Sequence, residues 1–222
     1  MNEQGTGFYI DIYSDVVCPW CYVGKRRLER ALDKVGGDIR ITWRPFQLNP
    51  TMPKDGMDRT TYLETKFGSL DAFRQLEEHV LVAGAAEDIQ FAFEKIARTP
   101  NTFAAHRLIW FAEREGRQDA AVNSLFRGYL EEGADIASIA TLVQLADRAG
   151  LSADIMERFL LSDQGTAEVK AEESAGHKLG IRGVPYFVLN GRISISGAQP
   201  PDIFVSALRQ AKEIVMERKE GA

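Results

Sequence analysis

Cysteine is scarce in this 222-residue chain: Cys18 and Cys21 are the only two, both within VVCPWCYV at residues 16–23. So few sulfurs exclude a disulfide-stapled scaffold, and a chain of this length builds its core without covalent staples. Histidine is nearly as rare, with His79, His106 and His177 standing apart. A zinc site would need further ligands beside the cysteines, and no two of these histidines have ligand spacing, so no metal is expected. Apolar runs are short as well. None approaches the ~18 residues of a membrane span, and the longest apolar-looking stretch, His79 to Ala86, lies in a charged segment. A basic excess is also missing: the formal charge of −5 argues against a nucleic-acid footprint. Finally, MNEQGTGFYIDIYSD has no basic start followed by an apolar stretch and a cleavage site. A cytoplasmic protein is therefore expected, in a compartment where a disulfide is usually catalytic or redox-sensing.

The remaining composition, 45% apolar and 27% charged, is that of an ordinary globular protein. Residues Phe8–Tyr13 alternate as a strand, and the cysteine motif follows at once. Val23, Leu28, Ala31, Leu32 and Val35 then recur at helical spacing until Gly36-Gly37. Ile39–Leu48 predicts a second strand, with Pro45 near its end. From about Thr60 to Lys178 almost nothing has strand character. Helices are predicted over 60–68, 69–83, 101–115, 117–132, 135–149, 152–161 and 163–179, punctuated by Gly116, Gly133 and Gly150, with Asn101 and Asp135 as N-caps and Ser69 opening another helix. The segments show no self-similarity, so no repeat architecture is expected. Strands return at Tyr186–Leu189 and Arg192–Ser196, joined by a two-residue Asn190-Gly191 turn, before a helix from Pro200-Pro201 to about Arg218. Neither β-containing end has enough strands for a stable sheet alone. The expected organisation is one discontinuous α/β domain, residues 1–50 and 180–222, with an all-helical insertion at 51–179.

Two thiols three positions apart at a helix start suit redox chemistry. Helix N-termini carry unpaired N–H groups and the positive end of the macrodipole, which favour a thiolate. Cys18 is the expected nucleophile and Cys21, one turn in, the resolving thiol. Pro19 suits the first turn because it gives up no needed hydrogen bond. Trp20 is expected beside the sulfurs, partly exposed, shielding them or touching substrate. Two inert buried cysteines are the bland alternative. Gly183-Val184-Pro185, just before the YFVL strand, is a second signal, readable either as a tight turn or as an ordinary strand-entry proline.

Taken together, SDVVCPWCYVGK (14–25), RPFQLNPTMPKDG (44–56), ARTPNTFAAHRLI (97–109) and GIRGVPYFVLNGRISISGAQPPDIF (180–204) resemble the DsbA family of the thioredoxin superfamily, most closely its cytoplasmic FrnE-like branch. The resemblance implies a thioredoxin fold, thiol–disulfide oxidoreductase activity and a cis Pro185 facing the cysteines. It also implies that Val184 offers backbone hydrogen bonds to an extended substrate. The branch is similar to 2-hydroxychromene-2-carboxylate isomerases and kappa-class glutathione transferases, which have Ser where this chain has Cys18 and use bound glutathione. CPWC departs from the CPHC of periplasmic DsbA, so one source of thiolate stabilisation is missing.

Asn101, His106 and Arg107 lie at a helix start in a family-like block and are candidates for the groove. The plainer reading has Asn101 capping the helix and Arg107 in a salt bridge, with His106 unpartnered. Trp43, Phe46, Phe91, Phe93 and Trp110 suit either a substrate surface or the core, whereas Glu77-Glu78 and Glu172-Glu173 read as solvated helix faces. The expected function is thiol–disulfide exchange with protein or small-molecule partners, with no bound cofactor and glutathione as a candidate co-substrate. A glutathione-dependent isomerase or transferase acting on a small aromatic compound is the alternative, and a redox-sensing binding module is the third reading. A homodimer is left open, since no exposed stripe identifies an interface.

Overall fold

In the computed structural model, which describes residues 8–220 with side chains through Ile214, the alternation of strand β1 (Phe8–Ser14) buries Phe8, Ile10 and Ile12. The leader reading, which rests largely on residues 1–7, lies outside the described residues. Helix α1 (Pro19–Val35) follows, and β2 (Ile39–Pro45) returns parallel to β1. The C-terminal part supplies β5 (Tyr186–Leu189), β6 (Ile193–Ser196) and helix α9 (Pro201–Glu220), and the four strands form one sheet in the order β2-β1-β5-β6. β5 is antiparallel to both β1 and β6. The expected thioredoxin-type sheet, assembled from both ends of the chain, is therefore what forms.

Phe187 and Leu189 share the sheet face of Ile12 and Ile10, and α1 and α9 cover it. Phe187 meets Phe204 of α9 edge-on, with ring centroids 4.8 Å apart. The opposite face carries Tyr13, Phe46 and Ile181 in a smaller apolar cluster. At the outer edge of β2, Gln118 accepts from the Trp43 N–H at 2.9 Å and donates to its carbonyl at 3.0 Å, as a neighbouring strand would.

Between β2 and β5 lie α2 (Arg59–Phe67), α3 (Leu70–Ala85), α4 (Phe103–Arg114), α5 (Gln118–Phe126), α6 (Ile139–Arg148), α7 (Ala153–Leu161) and α8 (Thr166–Lys178). Their positions match the predicted segments closely. One apolar cluster runs without a break from the sheet (Ile10, Ile12, Phe187) into these helices (Leu108, Leu125, Leu142).

The departures have local causes. A two-stranded ribbon, β3 (Met57–Asp58) with β4 (Arg98–Thr99), sits where no strand was expected. It exists because Gly56, at φ +71°, brings its backbone against Thr99; a Cβ there would stand 2.5 Å from the Thr99 carbonyl oxygen. The predicted helix 117–132 splits into α5 and a π-helical turn at Arg127–Glu131. Gly128 lies in that turn, where a Cβ would meet Leu145 at 2.6 Å. The cap of α6 is Ser138, whose hydroxyl accepts from the Thr141 N–H; Asp135 instead holds the Ala137 N–H three residues earlier. The Asn190-Gly191 hairpin has a three-residue loop, because Leu189 pairs with Ile193 and Arg192 joins the turn. Asn190 then exchanges two hydrogen bonds with the Tyr9 backbone, tying the hairpin to β1.

α8 approaches β1 through Gly176, where an added Cβ would lie 2.7 Å from the Tyr13 ring. Gly176→Val is expected to destabilise the fold by about 1–3 kcal/mol through overpacking, read as a lower urea midpoint with an unchanged slope.

Candidate active site

The chain leaves β1 at Ser14 and turns through Asp15, whose carbonyl accepts from the Cys18 N–H at 3.0 Å. Cys18 keeps extended backbone angles and is the N-cap of α1, with Pro19 as the first helical residue. The Cys21 N–H donates back to the Cys18 carbonyl at 3.0 Å, and no side chain caps this helix start. The Cys18 sulfur therefore stands at the positive end of a 17-residue helix whose first turn holds no acidic residue.

Both cysteines are free thiols, but they are not equivalent. Cys18 is 6% exposed and Cys21 is fully buried. Burial pushes the Cys21 thiol well above its ordinary 9.0, and the hydrogen bond and charge of Cys18 add to the rise against smaller opposing effects of Ser14 and Asp15. Across from the pair, the Val184–Pro185 peptide is cis, and the Cys18 thiol donates to the Val184 carbonyl at 3.7 Å. Gly24, one turn beyond Cys21, permits this closeness: a Cβ there would sit 3.1 Å from both Pro185 and Phe187. Trp20 stands at the rim, 36% exposed. The structure thus brings Cys18, Pro19, Trp20, Cys21, Val184 and Pro185 together.

Behind this cluster lies a pair that the sequence reading left unconnected. His106, 3% exposed, faces the fully buried Asp15, with Nε2 3.4 Å from Oδ1, at ion-pair distance but outside hydrogen-bond geometry. The other Asp15 oxygen accepts from the Leu48 N–H at 2.7 Å. Asp15 thus ties the cysteine turn to the segment after β2 and to α4. No spacing rule links positions 15 and 106, and their meeting depends on how α4 packs.

Two expected groove residues do other work. Arg107 is buried, and its guanidinium donates to the carbonyls of Phe159, Leu160, Ser162 and Gln164 at 2.6–3.2 Å. It closes the C-terminal end of α7 and makes no salt bridge among the described residues. Asn101 donates to the Met52 carbonyl at 2.7 Å and accepts from the Phe103 N–H at 2.9 Å, so it fastens the entry to α4. Thr102, not Asn101, is the formal N-cap. Neither Asn101 nor Arg107 lines the groove. Glu172 and Glu173 are not solvated bystanders either: Glu172 pairs with Arg44, and Glu173 accepts from the Gln47 N–H at 2.7 Å.

A cavity of about 650 Å³ opens beside Cys18, Pro19 and Trp20. Its walls come from α2 and α3, and its floor from Ile96, Thr99, Tyr129 and Leu130, two of them in the π-helical turn. Of the aromatics weighed from sequence, Phe93 lines it; Trp43 and Phe46 are core. Glu77, read as a solvated face, also lines it, and burial raises its pKa. Among the described residues, no group of three His, Cys, Asp or Glu side chains is placed to hold a metal ion, and no helix is long and apolar enough to cross a membrane.

Residues 9–209 match the family described as the DSBA-like thioredoxin domain. A crystal structure of a probable DsbA oxidoreductase from Streptomyces coelicolor is 34% identical, covers 93% of this chain and 90% of its own, and superposes with a TM-score of 0.86. The uncharacterised protein YwbO of Bacillus subtilis is 27% identical over 203 residues, 90% of this chain and 95% of that protein. The cytosolic disulfide reductase DsbM from Pseudomonas aeruginosa is similar in fold, at 17% identity, a TM-score of 0.63 and 96% and 100% coverage; it has also been solved with GSH.

Two measurements check the site. A thiol whose pKa is raised by folding stays protonated in the native state after the unfolded chain has lost its proton. Its stabilisation is full below about pH 9 and is lost as pH rises further. In reduced protein, the urea midpoint is expected to fall more steeply above that pH than in Cys21→Ser. Arg107→Lys cannot reach the same set of carbonyls and is expected to cost about 1–3 kcal/mol in urea unfolding, with the thiol exchange rate within twofold of wild type.

Proposed function

We propose thiol–disulfide exchange as the reaction of this chain, which belongs to the DSBA-like thioredoxin domain family. The observation that carries the proposal is the unequal burial of two cysteines at an uncapped helix start opposite the Val184 carbonyl. Only Cys18 can meet a substrate sulfur. Its thiolate attacks one sulfur of a substrate disulfide, forming a mixed disulfide and releasing the other sulfur as a thiolate that takes up a proton. Cys21 then loses its proton and attacks the Cys18 sulfur, which expels the second substrate thiol and leaves a Cys18–Cys21 disulfide. Two electrons and two protons pass to the substrate, and the same steps in reverse oxidise a dithiol.

The geometry supports this order. With its proton held by burial, Cys21 is a poor nucleophile toward outside disulfides, yet its N–H bond to the Cys18 carbonyl keeps it one helical turn from the sulfur it must attack. The Val184 carbonyl, which holds the Cys18 thiol at rest, is freed for a substrate backbone once that sulfur is bonded. Protein and small-molecule thiols are the proposed partners, in the cytoplasm, with glutathione as one reductant that would regenerate the dithiol.

Cys18→Ser is expected to reduce insulin no faster than buffer containing the same reductant. Cys21→Ala should instead accumulate as a mixed disulfide on Cys18, which intact-mass spectrometry identifies by its partner. Wild-type activity in Cys18→Ser would sink the assignment.

A further inference from the structure

The cavity beside Cys18 is more selective than exchange chemistry requires. Leu63, Phe67, Phe73, Leu76, Val80 and Phe93 make its walls apolar, and it reaches from the cysteine turn to Tyr129 and Leu130. At about 650 Å³ it falls within the roughly 300–1,000 Å³ of small-molecule sites. One apolar side chain of a docked polypeptide would leave most of it empty. A polar tripeptide thiol would set its amides and charges against hydrocarbon, at a cost for each group left unpaired.

Charge in the lining has a cationic excess, Arg59 and Lys66 against Glu77. Arg59 lies over the Phe73 and Phe93 rings, 5.6 and 5.9 Å from their centroids. Lys66 donates to Asn49 Oδ1 at 3.1 Å and to the Tyr62 hydroxyl at 2.6 Å. Neither cation is within ion-pair distance of a carboxylate among the described residues. Glu77 is the one carboxylate in the lining, and His79 the remaining titratable group beside Tyr62, Tyr129 and Cys18. Burial raises the Glu77 pKa, and Arg59 and Arg74 pull it back. An apolar chamber lined by Cys18 and by two cations against one carboxylate fits a ligand with a hydrocarbon body, an acidic group and a sulfur.

We infer that the cavity selects small apolar acids bearing a thiol or disulfide, and that these are the preferred exchange partners of the cysteine pair. This deepens the exchange reading above and rests on it. With the pair oxidised, one thiolate of a bound dithiol acid attacks Cys18, breaking the Cys18–Cys21 bond and releasing Cys21, which takes a proton. The second thiol of the ligand loses its proton and attacks the ligand sulfur held on Cys18. Cys18 leaves and is protonated, so the ligand ends as a disulfide and the protein as a dithiol.

Reduction of the oxidised protein by dihydrolipoate, dihydrolipoamide and dithiothreitol, followed by Trp fluorescence in stopped flow, tests the inference. Rates are normalised to those of the same reagents with a free small disulfide, and octanoate binding is measured separately by calorimetry. Dihydrolipoate is expected to saturate and to exceed dithiothreitol at least tenfold, with octanoate as a competitive inhibitor. The uncharged dihydrolipoamide should fall between them. Lys66→Gln with Arg59→Gln should bring dihydrolipoate down to dihydrolipoamide, and Leu76→Glu, at an exposed position on the cavity wall, should slow both. Equal normalised rates for the three dithiols, without octanoate binding, overturn the inference and leave the exchange reaction standing. A thiol peptide with an apolar residue beside its cysteine that outpaces dihydrolipoate overturns it in favour of a protein substrate. Octanoate binding with no exchange toward any dithiol sinks the exchange reading, and with it the sulfur in the ligand.

Discussion

The register between β1 and β5 is the constraint on which the site depends. Ile10 faces Leu189 and Tyr13 faces Tyr186 across an antiparallel pair formed by residues more than 170 positions apart. That pairing sets Val184 and Pro185 beside the turn leaving β1, where Cys18 sits. Strand side chains alternate, so a slip of one residue would turn Phe187 and Leu189 out of the core and carry the cis peptide away from the sulfur. The side chains that fix the register are the same ones that bury the face under α1 and α9, so stability and the geometry around the cysteines are specified together. Asn190 reinforces this by bonding to the Tyr9 backbone at the far end of the pair.

The helical segment contributes more than cover. Gln118 belongs to α5 yet completes the hydrogen bonding of Trp43; Asp15 belongs to the cysteine turn yet faces His106 of α4. Glu87, buried after α3, receives both Arg27 and Arg30 of α1, and Arg27 also reaches the Ala198 carbonyl after β6. These polar ties cross between parts of the chain that composition alone would separate. The apolar cluster crosses with them, so helices far from the cysteines in sequence set the shape of the chamber next to them.

Much of this was legible beforehand because it is written in local patterns. The alternation in FYIDIY, the Pro19 and glycine boundaries, and the Asn-Gly turn each act within a few residues. The cysteine pair at a helix start was legible for the same reason. What escaped was set by tertiary distance. Arg107 looked like a groove residue because it shares a helix start with Asn101, but its direction depends on the carbonyls that α7 leaves unmet. His106 looked unpartnered because its carboxylate lies 91 positions earlier. Nothing local marks out Phe67, Phe73 and Leu76 within their helices, and only the meeting of α2, α3 and the π-helical turn makes them walls. That turn itself was hidden because it spans only Arg127–Glu131, too few residues to show a change of period.

In the parallel β1–β2 pair, Trp43 directs its N–H and carbonyl away from β1, and Gln118 occupies both. Such an unpaired N–H and carbonyl on an outer strand normally invite another chain to add itself to the sheet. Here the invitation is already answered from within, by a side chain anchored on a helix. A foreign strand at Trp43 would have to expel a buried amide before gaining a single hydrogen bond. At Trp43, therefore, the outer edge of the sheet is closed to a visiting extended chain by the protein's own helix α5.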